Sequence, residues 1–338
     1  FCARAGLRVV LLEREKFPRE KVCGDCLNPS VWPVLKRLAL SDRVRALPHG
    51  TLECVDFIAV HGQVLRVALP IGDQAEIAVK RSAFDQLLLT RARELGADVR
   101  EAVIVSSITK CKSQAAEWSI KGGEETFAAR VLVGADGRNS SVARLCNLFP
   151  RIRRDRVALQ THLPLPADFG NRVVLQFLPG GYSGQAPVDT HSLNVCLVSN
   201  AKQMPDLRKW AAARFGIPRD HSWRTITPLT RAPLPAGHDH LFLVGDAARV
   251  VEPFTGEGIY YALRSGELAA EAIIAARDRS AGAARRFTSA HARLYRDRLW
   301  VNRLARAAVL HPRVTSALFP LSAVRPQLLR LLTAKIVC

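Results

Sequence analysis

Long apolar runs are missing from this sequence: no stretch of about 18 uncharged hydrophobic residues occurs, so a transmembrane reading has no support. Internal repeats and low-complexity tracts are missing too, and no signal peptide opens the chain, so the sequence does not read as secreted. Aromatic residues make up only 7%, and no basic stripe with interleaved aromatics offsets that scarcity, so a net charge of +19 does not read as a nucleic-acid surface. The eight cysteines are scattered. Cys23 and Cys26 form a single C-x-x-C with no second pair at a matching distance, so neither a zinc site nor a disulfide framework is expected. Reduced thiols in a cytoplasm are the expectation.

What is present describes a globular protein large enough for more than one domain. Its 338 residues are 48% hydrophobic, and the mean hydropathy is +0.04; such a chain can bury a large core. Arginine and lysine are spread along most of the length. Their summed field suits acidic redox partners or the surface of an anionic membrane, and that peripheral contact is the one membrane role expected.

The most informative stretch is Leu241–Leu263, LFLVGDAARVVEPFTGEGIYYAL. Leu241 to Val244 fit a buried parallel strand ending at Gly245, which puts Asp246 at a strand's carboxyl end. Open α/β sheets bind ligands there, and a carboxylate can accept hydrogen bonds from sugar or ribityl hydroxyls. After Pro253, Gly256 and Gly258 open a helix through Ile259. Glycines let a backbone approach a flat ligand, and the free N–H groups of a helix start face negative charge.

Three further segments follow the same logic. LRVVLL, Leu7 to Leu12, reads as a strand closed by Glu13 and Arg14, and an acid at the end of a second βαβ strand holds ribose hydroxyls. Next comes FPREKVCGDCLNP, with Arg19, Lys21, Cys23 and Gly24. Then VKRSAFDQLLLTRARELGADV reads as a helix opened by Arg81, Phe84 and Asp85, with Phe84, Leu87, Leu88 and Leu95 on its apolar face. VLVGADGRNSSVARLC reads as a strand, a turn at Asp136, and a helix capped by Ser140 and Ser141.

The order GDAA, P-x-T-G-E-G, helix, together with these companions, resembles the FAD-binding pattern of flavoproteins built like p-hydroxybenzoate hydroxylase. Within that superfamily the chain is most similar to the geranylgeranyl reductase branch. The resemblance implies an α/β fold with a Rossmann-like FAD-binding domain, an inserted mixed β-sheet substrate layer and a helical C-terminal tail. No G-x-G-x-x-G precedes Glu13, so the expectation is a fragment whose first βα unit is missing, with Phe1–Ala5 as the last turn of the first helix. The expected FAD domain takes residues 1–45, 70–150 and 235–280, the substrate layer 46–69 and 151–234, and the tail 281–338, cut by Pro312, Pro320 and Pro326. Strands are expected over 157–162, 172–178 and 192–198, and a helix over 205–215.

The resemblance also assigns roles. FAD contacts are implied for Glu13, Arg14, Arg19, Lys21, Gly24, Arg81, Val103 at an adenine edge near Ala102–Val105, Asp136, Gly245, Asp246, Pro253, Gly256, Gly258 and Ile259. Cations such as Arg19 and Lys21 suit phosphate oxygens through charge-assisted hydrogen bonds. PGGYSGQAP, Pro179 to Pro187, keeps the spacing of the branch motif P-x-x-Y-x-W-x-F-P that lines the pocket over the flavin, with Tyr182 retained. Gly184 and Ala186 stand at the tryptophan and phenylalanine positions. Exchanging tryptophan for glycine opens on the order of 150 Å³, room for a ring-sized ligand.

The implied function is FAD-dependent redox chemistry on a hydrophobic isoprenoid, polyketide or aromatic molecule. As a reductase, hydride would pass from the flavin to an alkene, with Tyr182 or Cys23 as the acid. As a monooxygenase, a C4a-hydroperoxide would hydroxylate the substrate. The sequence leaves both open. The W-x-W-x-I-P pattern of flavin halogenases is absent. The electron donor is NAD(P)H or a ferredoxin. No metal is expected.

Overall fold

The computed structural model describes residues 1–111, 116–150, 156–276 and 282–317. A seven-stranded mixed sheet dominates, in the order Arg224–Ile226, Val157–Pro164, Ser192–Ser199, Gly181–Pro187, Arg172–Leu178, Cys54–Ile58, Val64–Ala68. Its neighbours are antiparallel except Arg172–Leu178 beside Cys54–Ile58, which run parallel because the chain crosses over between them. The 54–58 and 64–68 hairpin extends the layer that 157–199 begins. Successive residues of each strand face opposite sides. Leu159, Leu178 and Leu197 point to the Met204–Phe215 helix. Their chain neighbours Ala158, Phe177 and Val198 point the other way, against Phe254, Ala305 and Val309. The sheet is therefore covered on both faces, and Gly181–Pro187 in its middle is buried along most of its length.

A second core holds the parallel pair Leu132–Gly134 and Leu241–Leu243, with Gly237–His238 added antiparallel. Leu241 to Val244 are buried, as their unbroken apolar run requires, and pack with Ala269 and Ala272 of the Gly258–Ala275 helix and with Phe287. The expected strand at 7–12 is shorter, Val10–Leu12, because its parallel partner Asp98–Arg100 supplies three residues. The Arg81–Glu94 helix buries Phe84 and Leu89 and rests Leu87 and Leu88 on a cluster with Leu27, Trp32, Leu35 and Ile259. Leu95 is its C-cap and takes no part in that cluster. Beside it, Glu76–Ala78 lies between Cys26–Leu27 and Gly50–Leu52 in a small antiparallel sheet. Another antiparallel sheet, Val105–Lys110, Trp118–Gly122 and Glu125–Ala129, which the motifs did not announce, lies in the 70–150 segment.

The C-terminal region is helical over Ala283–Arg296, Leu299–Leu310 and Pro312–Ala317; Pro320 and Pro326 lie outside the described residues. Among the described residues, no helix is long and apolar enough to cross a membrane.

Candidate functional site

The glycine-rich loop after Leu241–Leu243 is shaped by specific bonds. Gly245 has φ +53°, a left-handed conformation that glycine adopts without strain, and a Cβ there would lie 3.1 Å from Ala262. Its N–H donates to Ser265 Oγ at 2.8 Å, which ties the loop to the following helix. Asp246 is thereby held at the rim of a cavity of about 350 Å³. Arg138 donates to its carboxylate at 3.3 Å, and Arg231 donates to the carbonyls of Asp246 and Ala247.

Farther along, Gly256 has φ +69° and Gly258 begins the Gly258–Ala275 helix. Two buried acids flank the turn. Glu252 is paired with Arg156 at 2.7 Å, and its N–H donates to Asn302 Oδ1. Glu257, fully buried, accepts from Arg298 at 2.6 Å and from Asn302 at 3.2 Å. The C-terminal helix Leu299–Leu310 thus clamps the loop from behind.

Six glycines line the same cavity, and at four of them, Gly24, Gly137, Gly256 and Gly258, a built Cβ would meet nothing within 4 Å. The protein leaves that space open while bringing bare backbone to its edge. Such a cradle fits a flat ring system, and the start of an 18-residue helix supplies N–H groups and a positive dipole end to it. Basic side chains gather at the cradle. Lys21, Arg81 and Arg138 line it, and Lys21 is held down to about 8, first by the neighbouring Arg81 cation and then by burial. A buried ammonium beside a guanidinium is relieved by an incoming anion.

The expected site residues fall into two groups. Lys21, Cys23, Gly24, Arg81, Tyr182, Gly184, Ala186, Gly245, Asp246, Pro253, Gly256, Gly258 and Ile259 all border the cavity. Glu13, Arg19 and Val103 gather outside it: Val103 N–H donates to the Glu13 carbonyl at 2.9 Å, and Arg19 lies 3.9 Å from the Glu13 carboxylate. Two residues depart from expectation. Asp136 is exposed and accepts from Val142 N–H at 2.9 Å, so its carboxylate helps cap the Ser141–Leu145 helix, and it does not line the cavity that Ala135 and Gly137 border. Ser140 is the N-cap proper, accepting from Ala143 N–H. Arg14 is 73% exposed and pairs with Glu15, so its side chain reaches solvent.

Arg81 is also more engaged than a free phosphate ligand would be. It forms a two-point ion pair with Asp85, at 2.9 and 2.8 Å, and donates to Cys23 Sγ at 3.6 Å. Cys26 Sγ donates to the Gly24 carbonyl, and both thiols of the C-x-x-C are free.

One wall of the cavity is apolar. Val55, Phe57, Val67, Leu175, Ala186 and Val198 line it, and a Cβ at Gly184 would meet only Leu175, at 3.6 Å. Phe254 sits at the centre of an aromatic group, 5.1 Å from Tyr182 edge-on and 5.7 Å from Phe177. Tyr182 is buried, which pushes its phenol well above the ordinary range, so it keeps its proton. Arg138, Phe254, Glu76 and Asp25 went unnoticed in the sequence. Phe254 lay inside the quoted glycine motif and could have been found as its apolar member, whereas Arg138 pairs with a residue 108 positions away and gave no local signal.

Comparison with known proteins agrees with this geometry. Residues 1–158 match the family model described as FAD binding domain. The chain is 27% identical over 82% of its length to conditioned medium factor receptor 1 of Dictyostelium discoideum, and spans 60% of that protein. It is 28% identical over 81% of its length to geranylgeranyl diphosphate reductase of Rhodobacter capsulatus, spanning 70% of it. Among solved structures, a mutant of PqsL from P. aeruginosa superposes with a TM-score of 0.79 at 17% identity, covering 94% of each chain. That last likeness is one of fold. Taken with the cradle, these matches show an FAD-binding domain over residues 1–158 and a likeness of the chain to relatives that include geranylgeranyl diphosphate reductase.

Proposed function

We propose that this protein reduces a carbon–carbon double bond of a hydrophobic small molecule, drawing its electrons from FAD. The observation that carries the reading is the continuity of one cavity: the glycine cradle at Gly24, Gly137, Gly256 and Gly258 opens directly onto the apolar wall of Val55, Val67, Leu175 and Ala186. When bound and reduced, FAD supplies a hydride to one alkene carbon. The chain's residues do the remainder. Asp246, steadied by Arg138, accepts hydrogen bonds from ribityl hydroxyls. The helix start at Gly258 faces negative charge on the ring edge. Lys21 meets an anionic group of the cofactor, which relieves its crowding by Arg81.

The aromatic group of Phe57, Phe177, Tyr182 and Phe254 keeps water from the chamber. Tyr182 holds a proton at its Oη and can deliver it to the second alkene carbon, so that one hydride and one proton complete the two-electron reduction. NAD(P)H or a ferredoxin would supply the two electrons for each turnover. The basic surface suits an acidic protein donor or an anionic membrane holding an apolar substrate.

The test begins with FAD reconstitution, anaerobic reduction and addition of geranylgeranyl diphosphate or geranylgeraniol. A mass gain of two hydrogens without oxygen uptake supports the reductase. Incorporation of labelled oxygen from O₂ would assign the protein to the hydroxylases instead, and failure to take up FAD would end the oxidoreductase reading.

A further inference from the structure

Four carboxyl groups border the cavity among the described residues: Asp25, Glu76, Asp85 and Asp246. Three are engaged. Asp25 accepts from His162 at 2.8 Å, Asp85 pairs with Arg81 and Arg19, and Asp246 with Arg138. Among the described residues, the Glu76 side chain has no hydrogen bond or ion pair, although the residue is only 8% exposed. It lies on the short Glu76–Ala78 strand, on the same face as Ala78, and Ala78 packs with Leu52, Val55, Val173 and Ala186. The neighbouring strand brings Gly50 opposite Ala78, and Gly50 comes so close to the Pro187 carbonyl that a Cβ there would lie 1.9 Å from it. Sheet against sheet, this wall is apolar, and one carboxyl stands in it.

We propose that Glu76 is a specificity-determining residue that contacts the substrate, meeting an uncharged hydroxyl or carbonyl on an otherwise apolar molecule and turning away molecules whose head is a phosphate or diphosphate. The inference rests on the oxidoreductase reading of the cavity and names its substrate class. An unpaired carboxylate in an apolar wall is costly, and nothing around Glu76 offsets that cost. Burial alone raises its range to about 7, so about half of it is held as the acid at neutral pH and most of it below that. A protonated carboxyl donates one hydrogen bond and accepts another, which matches an alcohol or a ketone. An anionic head would instead lose its hydration against an apolar wall, and would meet a like charge whenever Glu76 is ionised.

The other titratable groups on the packed elements are spoken for. Cys26 is a thiol pushed well up by burial. Arg66 and Arg172 both pair with Asp56. Arg81 is bound to Asp85, Asp25 to His162, and Tyr182 is a neutral phenol.

The sign of the pH effect follows from linkage. A ligand that fills the cavity removes the remaining water around Glu76 and binds the protonated form, so affinity is full below about 7 and falls as pH rises above it. The test uses the FAD-loaded full chain with geranylgeraniol and geranylgeranyl diphosphate, which share a tail and differ in head. Binding is read by perturbation of flavin fluorescence from pH 5.5 to 9.

The expected result is a Kd for the alcohol that is flat below about pH 7 and rises roughly tenfold per pH unit above it, with the diphosphate binding at least tenfold more weakly. Glu76→Gln should flatten the pH profile and narrow the preference for the alcohol, with FAD retained. Should Glu76→Gln not fold, Glu76→Met offers an apolar replacement of similar length with the same expected flat profile. An identical pH slope in wild type and variant, a tighter diphosphate, or no saturable binding of the alcohol would overturn the proposal. Calorimetry on the same protein reads the slope without the flavin, so failure to bind FAD defeats the oxidoreductase reading while this readout still decides Glu76.

Discussion

Replacing Gly258 by valine separates the stability of the protein from its capacity to hold a flat cofactor. In the protein alone, the new side chain meets nothing, because a Cβ at position 258 has no heavy atom within 4 Å. Gly258 is the first residue of its helix and its φ is not left-handed. Valine has a higher helix propensity than glycine by about 0.3–0.5 kcal/mol, so the apoprotein should unfold at the same urea concentration or slightly higher.

In the complex the sign reverses. A ring in van der Waals contact with bare backbone lies about 3.5–4.0 Å from it. A Cβ projecting about 1.5 Å toward the ring, with two methyl groups beyond, obliges it to retreat and lose its hydrogen bonds to the helix start. FAD affinity should fall at least tenfold, or about 1.4 kcal/mol. The assay pairs urea unfolding of the apoprotein with fluorescence titration by FAD. Undiminished FAD affinity would refute the placement of the cradle, and an apoprotein destabilised by more than about 2 kcal/mol would refute the claim that the space is open.

Other perturbations probe separate parts of the site. Asp246→Ala should weaken FAD binding by about 1.5–3 kcal/mol, the worth of hydrogen bonds to a charged group, and a dissociation constant equal to wild type would remove Asp246 from the cofactor's contacts. Glu257→Ala leaves the half-buried Arg298 and the buried Asn302 amide without the carboxylate they share, so urea unfolding should show a loss of about 1–3 kcal/mol; a loss below about 0.5 kcal/mol means the clamp from the C-terminal helix is unimportant. His291, buried between Phe287 and Tyr295, is held down to about 4 by burial and by Arg249. Its folded value lies below its ordinary 6.5, so stability present above pH 6.5 is lost as pH falls toward 4, by at most about 1.4 kcal/mol per unit. His291→Phe should shallow that decline, and an unchanged slope would show that His291 is not its source.

How much of this was readable beforehand differs from residue to residue. Leu241 to Leu263 carried its meaning locally: four apolar residues, a glycine and a helix pattern describe a buried strand, a tight turn and a helix wherever they occur, and the structure forms all three. The Arg81–Glu94 helix and the strands near 157, 172 and 192 were likewise set by periodicity and appeared within two residues at most boundaries. Asp136 misled because a strand-end acid has two uses, ligand contact and helix capping, and only the direction of its carboxylate separates them. Arg14 misled in the same way, since a residue next to a site in sequence need not face it.

The sequence alone determined the type of fold and the glycine-rich loop at the edge of the cavity, because both depend on spacing, backbone freedom and short-range hydrophobic pattern. The tertiary structure decided which charges are free to act. Arg138 reaches Asp246 across 108 positions and Arg298 reaches Glu257 across 41. Arg81 is satisfied by Asp85, and among the described residues the Glu76 side chain is left with no partner in an apolar wall built from five separate strands. Whether a buried charge is neutralised is a property of everything that packs against it, and those neighbours come from parts of the chain that no local motif connects.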